Sequence, residues 1–159
     1  MRYLGLDLGT RTLGISKSDI TGTIATAYKT IRFNDSVYSE LIPELEKIIN
    51  NEKIDKIILG LPKNMNNTIG ERGNTTIEFK KMIEEKLHIE VILQDERLST
   101  VEATNYMLEA DISIKKRKKK IDSLAANIIL QTYLDKTKGM KLWKKKKWHL
   151  KYLMMKEKK

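Results

Sequence analysis

Cysteine is absent from the chain, and histidine occurs only twice. The first absence excludes disulfides and thiolate metal sites, and it fits an expected cytoplasmic location. The second leaves His88 and His149 isolated, so no imidazole cluster competes for a metal such as zinc. No run of about 18 apolar residues occurs, so no membrane-spanning helix is expected. Nor does a basic segment lead into an apolar one at the N-terminus, and no signal peptide is expected. Aromatic residues make up 6% of the chain, against 40% hydrophobic and 33% charged. That balance suits a soluble globular protein. At 159 residues the simplest organisation is one domain with a real hydrophobic core.

Charge is unevenly placed. The nine lysines and one glutamate of residues 139–159 supply +8 of the formal +10, so the preceding residues carry only +2. A second basic concentration is the run Lys115-Lys116-Arg117-Lys118-Lys119-Lys120. Such runs suit a polyanion partner, because each phosphate contact releases counterions. The plainer alternative is a solvated loop and a solvated end. The expected division is a folded domain over 1–138 and a basic Lys/Trp-rich tail over 139–159, read as disordered. Trp143 and Trp148 leave open base stacking or a membrane surface for that tail.

Periodicity gives the element order. Residues 2–8 alternate as a strand, with Tyr3, Gly5 and Asp7 on one face and Leu4, Leu6 and Leu8 on the other. A turn at 9–12, a strand over 13–18, a turn at Thr21-Gly22 and a strand over 23–33 complete an antiparallel meander. The period then becomes helical: Val37, Leu41, Leu45, Ile48 and Ile49 share a stripe, with Ser36 as the expected N-cap. Residues 56–61 form a short apolar strand ended by Pro62, and an Asn-rich loop covers 63–70. A helix is predicted over 74–87, with Phe79, Met82, Ile83 and Leu87 inward, followed by a buried strand over 89–93. Ser99 with Glu102 predicts a capped helix carrying Val101, Ala103, Met107 and Leu108. The last helix is predicted over 121–135, with Ile121, Leu124, Ala125, Ile128 and Thr132 on one face.

This order implies an α/β fold: a five-stranded mixed sheet, order 3-2-1-4-5, with helices on both faces. The first, fourth and fifth strands run parallel.

Asp7 is the oddest residue in such a map, because a carboxylate near the end of a central strand is costly to bury unless paired or metal-bound. Its plainer role is to accept hydrogen bonds from the 9–12 turn. Asp95 and Glu96 follow a strand parallel to the first. Asp122 begins the last helix, where the small Ala125 and Ala126 let it lie close to the sheet. Asp122 also suits the helix dipole, and Glu96 suits a local pair with Arg97. Three acids meeting at the C-terminal edge of one sheet are harder to dismiss, since sites in such sheets gather there. All-carboxylate ligation suits Mg²⁺ or Mn²⁺. Two such ions, about 3.5–4 Å apart, assist phosphodiester hydrolysis. Candidate phosphate contacts are the backbone N–H groups of Gly9 and Thr10, the Thr10 hydroxyl, Arg11, Lys63 and Arg97.

Four segments occur together in order: Asp7-Leu8-Gly9-Thr10-Arg11-Thr12-Leu13-Gly14-Ile15-Ser16, Gly60-Leu61-Pro62, Asp95-Glu96-Arg97-Leu98-Ser99-Thr100 and Ile121-Asp122-Ser123-Leu124-Ala125-Ala126. Over residues 1–135 the chain resembles the YqgF/RuvX family of bacterial RNase H-like proteins. The resemblance implies an RNase H-like fold and a cytoplasmic nuclease maturing the 5′ end of pre-16S ribosomal RNA, or one cutting Holliday junctions. It carries the catalytic and metal-ligand roles to Asp7, Glu96 and Asp122, with Asp95 an alternative to Glu96. The implied partners are structured RNA, branched DNA and ribosomal precursor particles, for a monomer or homodimer that needs no membrane. Gly60-Leu61-Pro62 is expected to bring backbone close to the site. The 139–159 tail departs from the family pattern. A non-catalytic RNA-binding factor is the reading from another class. A two-domain sugar-kinase or actin-like ATPase, which shares Asp-x-Gly-Thr, requires a longer chain.

Overall fold

The computed structural model describes residues 1–96 and 124–137. The predicted helix at Ser99, the 115–120 basic run and the 139–159 tail lie outside the described residues.

Strands β1 (Tyr3–Leu8), β2 (Thr12–Ser18) and β3 (Ala25–Arg32) form the expected meander. Helix α1 (Leu41–Glu52) leads to β4 (Lys56–Leu61), and α2 (Glu71–Leu87) leads to β5 (Glu90–Asp95). A further helix, α3, spans 124–137. The sheet order is β3-β2-β1-β4-β5, with β1, β4 and β5 parallel and β1 antiparallel to β2.

Alternation sorts the strand residues into two cores. Leu4, Leu6, Leu8, Ile57, Leu59 and Val91 bury against Leu41, Leu45 and Ile48 of α1 and Phe79 and Ile83 of α2. Ile58 packs on the opposite face with Ile129, Leu130 and Leu134 of α3. That second layer is thin because two glycines face it. A Cβ at Gly5 would lie 2.9 Å from the Ala126 carbonyl oxygen and 2.7 Å from the Leu130 Cβ. The Ser16 hydroxyl, opposite Gly5, donates to the same Ala126 oxygen at 2.8 Å. Gln131 then ties α3 to the sheet margin, accepting from the Ala25 N–H at 2.9 Å and donating to the Thr23 carbonyl at 3.1 Å.

Three local expectations are corrected. Ser36 is not an N-cap: its φ is 60°, its N–H donates to the Thr10 carbonyl, and a short 3₁₀ turn (Tyr38–Glu40) precedes α1. Val37 accordingly lies off the buried stripe and is exposed. Helix α2 starts at Glu71 rather than 74, because Gly73 allows its first turn to pack against the Pro62 carbonyl, with only 2.8 Å left for a Cβ. On α3 the buried stripe is Ala125, Ala126, Ile129, Leu130 and Leu134, whereas Thr132 is exposed. The glycines at 5 and 60 set that rotation, since they draw Ala126 and Ile129 onto the sheet.

Candidate active site

Asp7 sits one residue past the last recorded β1–β4 pair, Leu6↔Leu59, on the face that carries Gly5 and Gly60. β5 pairs with β4 through Gly60↔Gln94 and Leu61↔Asp95. Gln94 therefore shares the Gly60 face, and Asp95 goes with Leu61 to the other. Glu96 returns to the Gly60 face: its N–H donates to the Leu61 carbonyl at 3.2 Å, which extends the ladder by one step. Its carboxylate fills the space that a Gly60 side chain would take. A Cβ there would lie 3.3 Å from the Glu96 Cδ and 2.6 Å from the Ile129 Cδ1. The Gly60 backbone thus lies directly against the Glu96 carboxyl and Ile129.

Asp7 is a side-chain hydrogen-bond partner of Glu96 and favours its protonated form. Burial pushes Glu96 up to about 8, helped by the Asp7 charge and that hydrogen bond. The Arg72 guanidinium opposes the shift, and Asp95 adds weakly to it. Two carboxyls forced to share a proton are short of positive charge. This donor set fits a hard divalent cation, which would take the place of the shared proton. Among the described residues no group of three or more potential ligands converges. The described cluster is therefore the Asp7–Glu96 pair, without Asp95.

Asp122, the third expected acid, and Arg97 lie outside the described residues. The direction of α3 is informative nonetheless. Ala126 and Leu130 lie over Gly5, and the Tyr133 ring meets Tyr3 with centroids 5.8 Å apart. The helix thus runs antiparallel to β1, with its N-terminal end toward Asp7.

The other expected contacts are dispersed. Thr10 and Arg11 are exposed in the β1–β2 turn, and Arg11 Nη2 lies 3.5 Å from Asp35 Oδ2. The Gly9 N–H is not open to a phosphate, because it donates to the Thr12 carbonyl at 2.8 Å. Lys63 follows Pro62 just beyond β4, on the same sheet edge.

Sequence reasoning missed Arg72. Its Nη2 donates to the Leu8 carbonyl at 2.9 Å and its Nη1 to the Tyr38 hydroxyl at 3.3 Å. The spacing of Arg72, Thr76, Phe79 and Ile83 continues the buried face of α2 and could have revealed it. The glycines flanking Glu71-Arg72 masked that signal.

The RuvX family profile, described as Holliday junction resolvase, matches residues 1–136. A protein of Oceanobacillus iheyensis named for an inferred nuclease activity on pre-16S rRNA is 50% identical over 135 residues, covering 85% of this chain and 98% of that one. Its namesake in Bacillus subtilis is 47% identical with the same coverage. In three dimensions, Thermus thermophilus RuvC in complex with a Holliday junction substrate is similar at a TM-score of 0.53 and 10% identity, over 81% of this chain and 91% of that one. The Fowlpox virus resolvase, solved with Holliday junction DNA, reaches 0.55 at 12% identity, over 86% and 99%. At such identities the likeness establishes the RNase H-like fold. Matched along 1–136 and built on that sheet, the chain belongs to the RuvX family of resolvase-like nucleases.

Proposed function

We propose that the chain is a divalent-metal-dependent endonuclease that processes the 5′ end of pre-16S ribosomal RNA in the cytoplasm, with Asp7, Glu96 and Asp122 as its metal-binding carboxylates. The observation that carries the metal site is the placement of Asp7 and Glu96 on one face at the C-terminal edge of the sheet, with the Glu96 carboxyl against Gly60. The names of the relatives support the RNA substrate.

A bound Mg²⁺ or Mn²⁺, and in the two-ion form a pair of them, supplies Lewis-acid stabilisation of the phosphoryl oxygens and favours ionisation of the attacking water. With a metal bound, Glu96 would give up its proton and offer a full carboxylate beside that of Asp7. Asp122 supplies the third carboxylate; it precedes the described start of α3 by two residues, and that end of α3 is directed toward Asp7. Gly60 keeps a side chain out of the space where Glu96 lies. Lys63 and Arg97 neutralise the phosphodiester backbone near the acids. Thr10 and Arg11 contact it farther out, Arg11 exchanging its exposed Asp35 partner for phosphate.

A second reading, cleavage of four-way DNA junctions, is favoured by the family description. It requires a symmetric dimer placing two cuts. The experiment offers a precursor 16S rRNA 5′-end fragment and a four-way DNA junction side by side, with Mg²⁺ or Mn²⁺, while solution mass is measured. Metal-dependent cutting of the RNA by the protein is the expected result. Cutting of the junction alone, by a dimer, would replace the RNA reading with the resolvase. Binding of the RNA or of precursor particles without cutting of either substrate would support a non-catalytic factor instead.

A further inference from the structure

Arg72 approaches the end of β1, next to Asp7, from the α1/α2 side of the sheet. The parallel ladder between β1 and β4 is recorded through Leu6↔Leu59, so Asp7 and Leu8 lie past its end on that side. There the Arg72 guanidinium takes the Leu8 carbonyl with Nη2 and the Tyr38 hydroxyl with Nη1. Both anchors are themselves held, Leu8 by its pairing with Leu13 of β2. The Tyr38 ring packs between Phe33 and Phe79, at centroid distances of 5.6 Å and 6.1 Å. Arg72 stands in the first turn of α2, where Gly73 is pressed against Pro62 and Ile69. Its own carbonyl accepts the Thr76 hydroxyl at 2.9 Å. The half-buried guanidinium is also close enough for Glu96 to feel its charge.

We propose that Arg72 is a positioning residue of this site, a planar fork that fixes the β4-facing side of the end of β1, whose other side β2 already holds through Asp7↔Gly14 and Leu8↔Leu13, and so the placement of Asp7 beside Glu96. The inference rests on reading those two acids as the reactive pair. A guanidinium joins two acceptors from different elements in one plane, which a lysine ammonium on a flexible stem does not reproduce. Arg72 acts on the strand that carries Asp7 rather than on substrate, so its loss should appear in kcat and leave KM unchanged. A reacting group displaced by about 1 Å costs on the order of a hundredfold.

The test compares wild type, R72Q, R72K, Y38F and the R72Q/Y38F double variant as full chains. Steady-state cleavage is measured with Mn²⁺, Mn²⁺ binding is measured separately, and D7N is the control. Expected are a kcat for R72Q lowered about ten- to a hundredfold, KM unchanged within about twofold, and Mn²⁺ still bound. R72K should remain within about threefold of R72Q, because charge without the fork is insufficient. Y38F should lose a few-fold in kcat, and the double variant should be no slower than R72Q alone. Wild-type kcat in R72Q, full rescue by R72K, or a change carried mainly in KM would overturn the proposal. If R72Q does not fold at the assay temperature, Y38F decides: wild-type kcat there overturns it equally. An active wild type with an inactive D7N and an unaffected R72Q sinks the fork alone. An inactive wild type or an active D7N sinks the nuclease reading, and the fork with it.

Discussion

Glu96 meets Asp7 on one face at the C-terminal edge of the sheet, its carboxyl in the space that a side chain at residue 60 would occupy. Burial and the neighbouring Asp7 charge push Glu96 up to about 8, so Glu96 keeps its proton well above the ordinary carboxyl range. Removing that proton without a replacement cation costs stability, which makes the pair measurable apart from any cleavage assay.

Glu96 is raised in the folded state from an ordinary 4.5 to about 8. Between those values the folded chain therefore binds more protons than the unfolded chain. Its contribution to stability is fully present below pH 4.5, declines as pH rises and is gone once pH has passed about 8. In EDTA, the stability of wild type relative to E96Q should decline from pH 5 to pH 8. The slope should not exceed about 1.4 kcal/mol per pH unit, the one-proton limit. Urea unfolding at three pH values checks this. A difference that is flat, or that rises with pH, contradicts the shared proton.

Metal loading should reverse the trend. A cation takes the place of the proton, so Mn²⁺ should raise the melting temperature more at pH 8 than at pH 6. Calorimetry in two buffers of different ionisation enthalpy should detect release of up to one proton at the lower pH. E96Q should lose both effects. Equal stabilisation of wild type and E96Q would place the ion elsewhere.

Gly60→Ala tests the close approach at the site. The new methyl would meet the Glu96 carboxylate and the Ile129 Cδ1. Overpacking of this kind costs about 1–3 kcal/mol. Mn²⁺ affinity should fall as well, because Glu96 must swing away from Asp7. Unfolding curves and a Mn²⁺ titration on the same preparation check both parts. An unchanged Mn²⁺ affinity would show that Glu96 need not lie against residue 60.

Ser16→Ala is the comparison for the scaffold. It removes the hydrogen bond to the Ala126 carbonyl under α3 without touching either acid. A loss of about 1 kcal/mol is expected, with Mn²⁺ binding at pH 8 unchanged. A specific loss of metal binding would mean that α3 is set by this one hydroxyl.

The sequence made the order of strands and the position of Asp7 legible, because alternation in Tyr3–Leu8 and the apolar run of Lys56–Leu61 are strong short-range signals. The ambiguity between Asp95 and Glu96 needed the ladder. Only the Leu61↔Asp95 pair and the Glu96 N–H bond to Leu61 show that the strand continues long enough to bring Glu96 back to the Asp7 face. The rotation of α3 was not legible. Leu124 and Ile128 are as apolar as Ile129 and Leu130, and the choice between the stripes is made by glycines on distant strands. Ser36 failed as a cap because its N–H bonds to Thr10, a long-range partner that local propensity does not see.

The most direct test of the central claim is single-turnover cleavage of a precursor 16S rRNA 5′-end fragment by wild type, D7N and E96Q, with Mg²⁺ and with EDTA. Cleavage by wild type that requires Mg²⁺ and falls at least a hundredfold in both variants is the predicted result, a drop on the order of that for losing a principal electrostatic stabiliser of the transition state. Cleavage retained in D7N or E96Q in a clean preparation would show that the Asp7–Glu96 pair is not the reactive centre.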